Sequence, residues 1–183
     1  MPSIEVNRAD LEALLGEKLT FDRLTSLLPL AKGEIKEWTE EGLKLELNDS
    51  NRPDLWSPEG IARQIRIHGR GGSHAVPAYP FFGAEAHQKI IVSKSVEAIR
   101  PYLGAFLVRG ITITDAVLIQ LIQSQEKLAE IYGQKRKTLS IGLYPLQKIV
   151  FPIRYDVADP DTTRFTPLGF DQPISLRTIL KDH

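Results

Sequence analysis

Apolar and polar positions alternate most cleanly at 43–47, where Leu43, Leu45 and Leu47 are separated by Lys44 and Glu46. A period of two predicts a strand with one buried face. Its antiparallel partner is expected at 35–39 across a turn at 40–42, although Ile35 and Trp38 stand three apart and break the alternation. Two short helices are predicted before this pair. Asn7 caps the first, with Asp10 at its N3 position, Leu11, Leu14 and Leu15 as the apolar side and Gly16 as the stop. Thr20 caps the second, which turns Leu24, Leu27 and Leu28 inward. After a loop-like stretch, Ser57 caps a third helix with Pro58 at its first position and Ile61, Ala62, Ile65 and His68 along the inner side.

Glycines at 69, 71 and 72 and prolines at 77 and 80 then interrupt the pattern. Such a stretch suits a linker, and the chain is divided there into residues 1–86 and 87–183. In the second part, 89–92 predicts a strand, and the mostly apolar run 102–108 predicts a buried one. Thr114 caps the longest helix, 115–132, which stops at Gly133 and leads through a basic run into a strand at 139–143. Residues 151–170 are rich in Pro, Asp and Thr and read as irregular. A short helix capped by Ser175 follows. Both parts are α+β.

Composition narrows the chemistry. The 183 residues carry 23 Lys plus Arg against 23 Asp plus Glu. A chain-wide basic clamp for nucleic acid is therefore excluded, while a local basic patch is not. Without cysteine, the chain has no disulfide, thiolate metal site or Cys nucleophile. No apolar run reaches the roughly 18 residues of a membrane span, and the N-terminus lacks a secretory pattern, so a soluble cytoplasmic protein with no membrane partner is expected. The four histidines lack the helical spacing of a zinc pair, and Asp156, Asp159 and Asp161 miss the calcium-loop pattern, so no metal is expected.

On a helical wheel at about 100° per residue, Leu118, Leu121, Ile122, Leu128, Ala129 and Tyr132 form one face of the long helix. Gln125 falls at its centre, whereas Gln120, Gln123, Lys127 and Glu130 point largely away. Two readings of Gln125 stay open. Its amide bonds to nearby backbone in a core, or it lines a pocket. The run Lys135–Lys137 likewise complements the carbonyl end of the helix or contacts phosphate.

Four segments carry a family resemblance. NRPDLWSPEGIARQI at 51–65 resembles the N-R-P-D-L-x-S-x-E-G-I-A-R of phenylalanyl-tRNA synthetase beta subunits. LIQSQEKLAEIYGQKRKTLSIGLYPLQKI at 121–149 is similar to the start of the editing domain of the archaeal and eukaryotic type. There the pattern runs L-I-x-x-Q-x-K-L, G-R-K-R-K and S-I-G-x-H-D-L. RPYLGAFLVRGI at 100–111 and FTPLGFDQPISLRTIL at 165–180 extend the likeness over nearly the whole chain.

The resemblance implies a small N-terminal α+β accessory domain (1–86) followed by the truncated first part of a mixed α/β tRNA-editing domain (87–183). The family joins phenylalanine to its tRNA as a heterotetramer of two alpha and two beta subunits. It also hydrolyses tyrosine wrongly attached to that tRNA. An apolar pocket rejects an added hydroxyl by only roughly a hundredfold, which is why a second, hydrolytic site is useful. The full enzyme is expected to use ATP and magnesium, with no cofactor in this part. Gln125 and Arg136 match family positions at the editing cleft, and Ser140 adds a polar contact. Tyr144 and Pro145 stand where the family often has His-Asp, and Gln134 where it commonly has Arg. No side chain is named as general base. The isolated chain is expected to be inactive. The alternative is a non-catalytic tRNA-binding or assembly module.

Overall fold

The alternation at 43–47 becomes the middle strand of a three-stranded antiparallel sheet. The structure, a computed structural model, describes residues 2–48, 51–69, 82–83, 85 and 87–182. Strands β1 (Ser3–Asn7), β2 (Gly33–Trp38) and β3 (Gly42–Leu47) lie in the order β1-β3-β2. The sheet gains β1, whose short alternation of Ile4 and Val6 places those side chains across β3 from Leu45 and Leu43. Between β2 and β3 the register shifts from Ile35 to Glu37. That bulge inserts one residue into β2, so Ile35 and Trp38, three apart, both reach the half-buried face.

Helix α1 (Arg8–Leu15) starts where Asn7 accepts a hydrogen bond from the Asp10 N–H at 3.0 Å, and stops at Gly16 with φ 78°. Helix α2 (Phe21–Leu27) is capped by Thr20, which accepts from the Arg23 N–H at 3.2 Å. A 3₁₀ turn, Pro53–Leu55, then feeds α3 (Pro58–Gly69), where Ser57 accepts from the Gly60 N–H at 3.1 Å. These caps satisfy amides that have no partner inside their own helix. Ile61, Ala62 and Ile65 are buried against Leu11, Leu45 and Trp56, forming one core under the sheet. His68, expected on the inner side, is exposed.

Contacts gather the chain into two units, Met1–Tyr79 with Arg109–Leu143, and Pro80–Val108 with Tyr144–His183. Most of the linker stretch 69–86 lies outside the described residues. The first unit also contains α4 (Asp115–Lys127), capped by Thr114, whose hydroxyl accepts from the Val117 N–H at 3.3 Å. The helix runs as expected to Lys127 and then loosens into a π turn, Leu128–Tyr132.

In the second unit β4 (Ile90–Val92) pairs in parallel with β5 (Ile153–Tyr155). Strand β6 (Arg164–Phe165) pairs antiparallel with β7 (Ile174–Ser175), which opens into α5 (Leu176–Asp182). Ser175 caps α5 by accepting from the Thr178 N–H at 3.2 Å. Residues 151–170, read as irregular, thus contribute two short strands. The strands expected at 102–108 and 139–143 are absent. Tyr102 and Phe106 are 93% and 82% exposed. Apolar composition suggested burial, but a strand also needs a neighbouring ladder for its backbone groups, and neither run has one among the described residues.

Candidate functional site

Helix α4 meets the rest of its unit at the open edge of β1. The bonds from Leu47 N–H to Pro2 O (2.9 Å) and from Arg8 N–H to Glu41 O (3.1 Å) set the parity of the β1–β3 ladder. Alternate residues of an antiparallel edge strand turn their backbone groups outward, and Glu5 is one of these. The Gln123 side chain closes both groups. Its Oε1 accepts from the Glu5 N–H at 2.7 Å and its Nε2 donates to the Glu5 carbonyl at 2.9 Å. Nε2 also donates to Gln120 Oε1 at 3.1 Å, and Gln120 Nε2 reaches the same carbonyl at 3.4 Å.

The helix is therefore turned over relative to the wheel expectation. Gln120, assigned to the outer face, is only 6% exposed, while Leu118, Leu121 and Ile122 are open to solvent. A sheet face demands apolar cover, but a sheet edge demands hydrogen bonds. The amide-bearing side of α4 answers the second demand. The apolar face is buried only at its end, where Ala129 is enclosed and Leu128 packs against the core.

Beyond the π turn, Gly133 is followed by Gln134, Lys135 and Arg136 at φ 50°, 58° and 64°. Three consecutive left-handed non-glycine residues are unfavourable by roughly 1–2 kcal/mol each. Long-reaching hydrogen bonds hold them in place. The Lys135 N–H donates to Glu130 O and the Arg136 N–H to Ala129 O, both at 2.8 Å, and the Thr138 N–H donates to Gly133 O at 3.0 Å. Gly133 fits because it has no side chain; a Cβ there would sit 2.4 Å from the Ala129 carbonyl oxygen.

This turn brings Arg136 beside α4. Arg136, Lys127, Glu126, Glu130 and Ile131 line a shallow depression of about 240 Å³. A second depression of about 300 Å³ shares Glu126 and Lys127 and extends to Glu5, Ile119, Ile122 and Gln123. Gln125 is half-buried and lines neither. Its side-chain amide makes no hydrogen bond among the described residues, which departs from the reading of a core amide bonded to backbone. Ser140 is exposed on an extended stretch. Tyr144 is 74% exposed and belongs to the other unit. Arg136 thus lines one depression with Lys127, Glu126, Glu130 and Ile131.

Both signs of charge face these depressions, which suits a ligand carrying both an anionic and a cationic group. Among the described residues, no three His, Asp or Glu side chains stand together as a metal site. Among the described residues, no helix is long and apolar enough to cross a membrane. Sequence reasoning missed Gln123 and Glu126. The three-residue spacing of Gln120 and Gln123 showed that they share a face, but nothing in the spacing showed that the face is turned inward.

No model of a protein family matches the chain. Individual relatives match along its whole length. The phenylalanine–tRNA ligase beta subunit of Borrelia turicatae is 40% identical over 190 residues, covering 100% of this chain and 33% of the relative. That of Pyrococcus furiosus is 38% identical over 187 residues, with coverage of 100% and 33%. The chain therefore spans about a third of the length of the curated relatives it matches. Among solved structures, an N-terminal fragment of the phenylalanyl-tRNA synthetase beta subunit from Pyrococcus horikoshii superimposes with a TM-score of 0.87 at 34% identity, covering 100% of this chain and 52% of that one. In sequence along its whole length and in fold, the chain is homologous to phenylalanyl-tRNA synthetase beta subunits and matches an N-terminal fragment of one.

Proposed function

We propose that this chain contributes to hydrolytic editing of Tyr-tRNA(Phe) within a phenylalanine–tRNA ligase, where residues 1–86 serve as an accessory portion and 87–183 as the first part of the editing portion. The observation that carries this reading is the Arg136 turn, by which Arg136 and Lys127 line one depression at the end of α4. Fixed cations of this kind engage the phosphates of a tRNA end. Glu126 and Glu130 on the same helix suit the α-ammonium of an aminoacyl ester. Gln125, whose amide is unbonded among the described residues, and Ser140 supply further polar contacts to the ester or its ribose. The residues described here bind and orient substrate, which contributes to hydrolysis by positioning. Water is the nucleophile, and the general base remains unassigned.

The whole ligase would pair this subunit with an alpha subunit, in a heterotetramer in the cytoplasm, and use ATP and magnesium. A second reading, an assembly or tRNA-binding module without hydrolytic activity of its own, is favoured by the solvent-exposed apolar face of α4 at Leu118, Leu121 and Ile122.

Titrating the chain with tRNA(Phe) at several salt concentrations tests the RNA contact. Arg136→Ala is expected to lower affinity and to reduce the slope of log affinity against log salt by about one. Release of tyrosine from Tyr-tRNA(Phe) by the whole ligase, with and without Arg136→Ala, separates the two readings. A loss of hydrolysis beyond the loss of binding supports an editing role for these residues. A loss of binding alone supports the module, and no binding of tRNA(Phe) by the chain refutes the RNA contact.

A further inference from the structure

The edge of β1 and the turn at 134–136 belong to one unit, and side chains of α4 join them. Glu5 presents an N–H and a carbonyl that β3 cannot use, because the ladder parity points them outward. Gln123 meets both with one amide, at 2.7 and 2.9 Å, across 118 positions of sequence. The amide group has the same donor and acceptor as a peptide, so Gln123 stands in for one residue of a missing strand. The Glu5 N–H, which can only donate, fixes which way the amide is flipped, and Gln120 braces it at 3.1 Å. A helix held by apolar packing can slide or roll by small amounts. A helix held by a two-point amide bond to backbone cannot do so without breaking both bonds.

We propose that Gln123 is a positioning residue. It latches α4 to the edge of β1 and thereby sets where the Arg136 turn and the Glu126–Lys127–Glu130 surface stand for a tRNA end. The proposal rests on the tRNA-end reading for its functional consequence, but not for the latch itself. It goes beyond the family motif, in which the position of Gln123 is unspecified. The latch is directional. Replacing the amide by a carboxylate keeps the shape and the acceptor but loses the donor, and sets a negative oxygen against the Glu5 carbonyl. Replacing it by Leu keeps the size and loses both bonds.

The chain has no cysteine, so two introduced thiols label it uniquely. Spin labels at Lys44→Cys on β3 and Tyr132→Cys at the end of the α4 π turn report the position of the helix relative to the sheet by pulsed electron resonance. The parent chain is expected to give a narrow distance distribution. Gln123→Leu, which loses both bonds, is expected to broaden or shift it and to weaken tRNA(Phe) binding about tenfold, and Gln123→Glu, which loses the donor and sets a negative oxygen against the Glu5 carbonyl, is expected to do the same. Gln120→Ala is expected to do less, because its own bond to Glu5 is the longer one. Thermal unfolding of each variant shows whether the core of the sheet remains folded. A Gln123→Glu chain that keeps the narrow distribution overturns the latch. A broadened distribution with unchanged tRNA affinity overturns the positioning role. If the parent chain binds no tRNA, the functional reading fails, and the distance measurement alone still decides the latch.

Discussion

A methyl group on Gly60 would lie 1.7 Å from the carbonyl oxygen of Asp54 and 2.8 Å from its carbonyl carbon. The first turn of α3 thus rests directly on the backbone of the 3₁₀ turn before it, within the segment NRPDLWSPEGIARQI. The Asp54 carboxylate is held by Arg52 through two bonds of 2.9 Å and by Arg63 at 3.2 Å. The obstacle is backbone, so no rotamer change can relieve it. Gly60→Ala is expected to lower stability by about 1–3 kcal/mol or more, read by urea denaturation. Gly16→Ala makes the contrasting case. Nothing lies within 4 Å of a Cβ there, and its loss of about 1 kcal/mol comes only from the φ of 78°. Equal losses at the two positions would refute the steric account of Gly60.

Glu12 gives the N-terminal unit an acid-sensitive joint. It is one of the few buried charged side chains and accepts from Lys18 Nζ at 2.7 Å, the Leu19 N–H at 3.0 Å and Arg8 Nε at 3.2 Å. These donors, Lys18 foremost, hold its carboxyl at about 2 instead of the ordinary 4.5. A depressed carboxylate stabilises the fold above its unfolded value, and that contribution is lost as pH falls toward the folded one. Between about pH 4.5 and 2 the parent chain should therefore lose melting temperature more steeply than Glu12→Gln. Above pH 5 the variant should melt lower. Parallel profiles through that window would sink the assignment.

The parts of the fold legible in the sequence are those whose cause is local. Asn7, Thr20, Ser57, Thr114 and Ser175 cap their own helices within three residues, so spacing reveals them. The alternation at 43–47 reports a face that is buried along its whole length. The orientation of α4 was not legible, because it depends on Glu5 at the far end of the sequence and on whether a sheet face or a sheet edge receives the helix. Residues 102–108 and 139–143 misled for a related reason. Their composition suits a strand, but pairing is a property of a neighbour. Of the candidate site, the Arg136 position was legible from its motif, while its grouping with Glu126 and Lys127 depends on a left-handed turn that no propensity would suggest.

In the second unit, Ser95 and Asp156 tie the segments following β4 and β5. Ser95 Oγ donates to Asp156 Oδ1 at 2.5 Å, and the Val157 N–H adds a bond of 2.8 Å. These bonds, the serine hydroxyl first, keep the Asp156 carboxyl at about 2 instead of the ordinary 3.8. Ser95→Ala is expected to raise the Asp156 titration midpoint toward the ordinary value in a carbon-13 NMR titration. An unchanged midpoint would assign the depression to the Val157 amide, Ser93 and Arg154 and not to the Ser95 hydroxyl.

The turn at 134–136 separates conformational strain from charge. Lys135 and Arg136 both occupy left-handed backbone, so glycine at either position should stabilise the fold by about 1 kcal/mol. Their side chains differ in placement. Arg136 lines the depression beside Glu126, Lys127 and Glu130, and Lys135 does not. Lys135→Gly and Arg136→Gly should therefore raise the unfolding midpoint to a similar degree, while Arg136→Gly weakens tRNA(Phe) binding considerably more. Strain retained at a site despite an easily available stabilising substitution suggests a role for the side chains that it holds. If the two variants lose tRNA affinity equally, the turn acts as a diffuse basic patch, and the specific placement of Arg136 beside the α4 carboxylates carries no function.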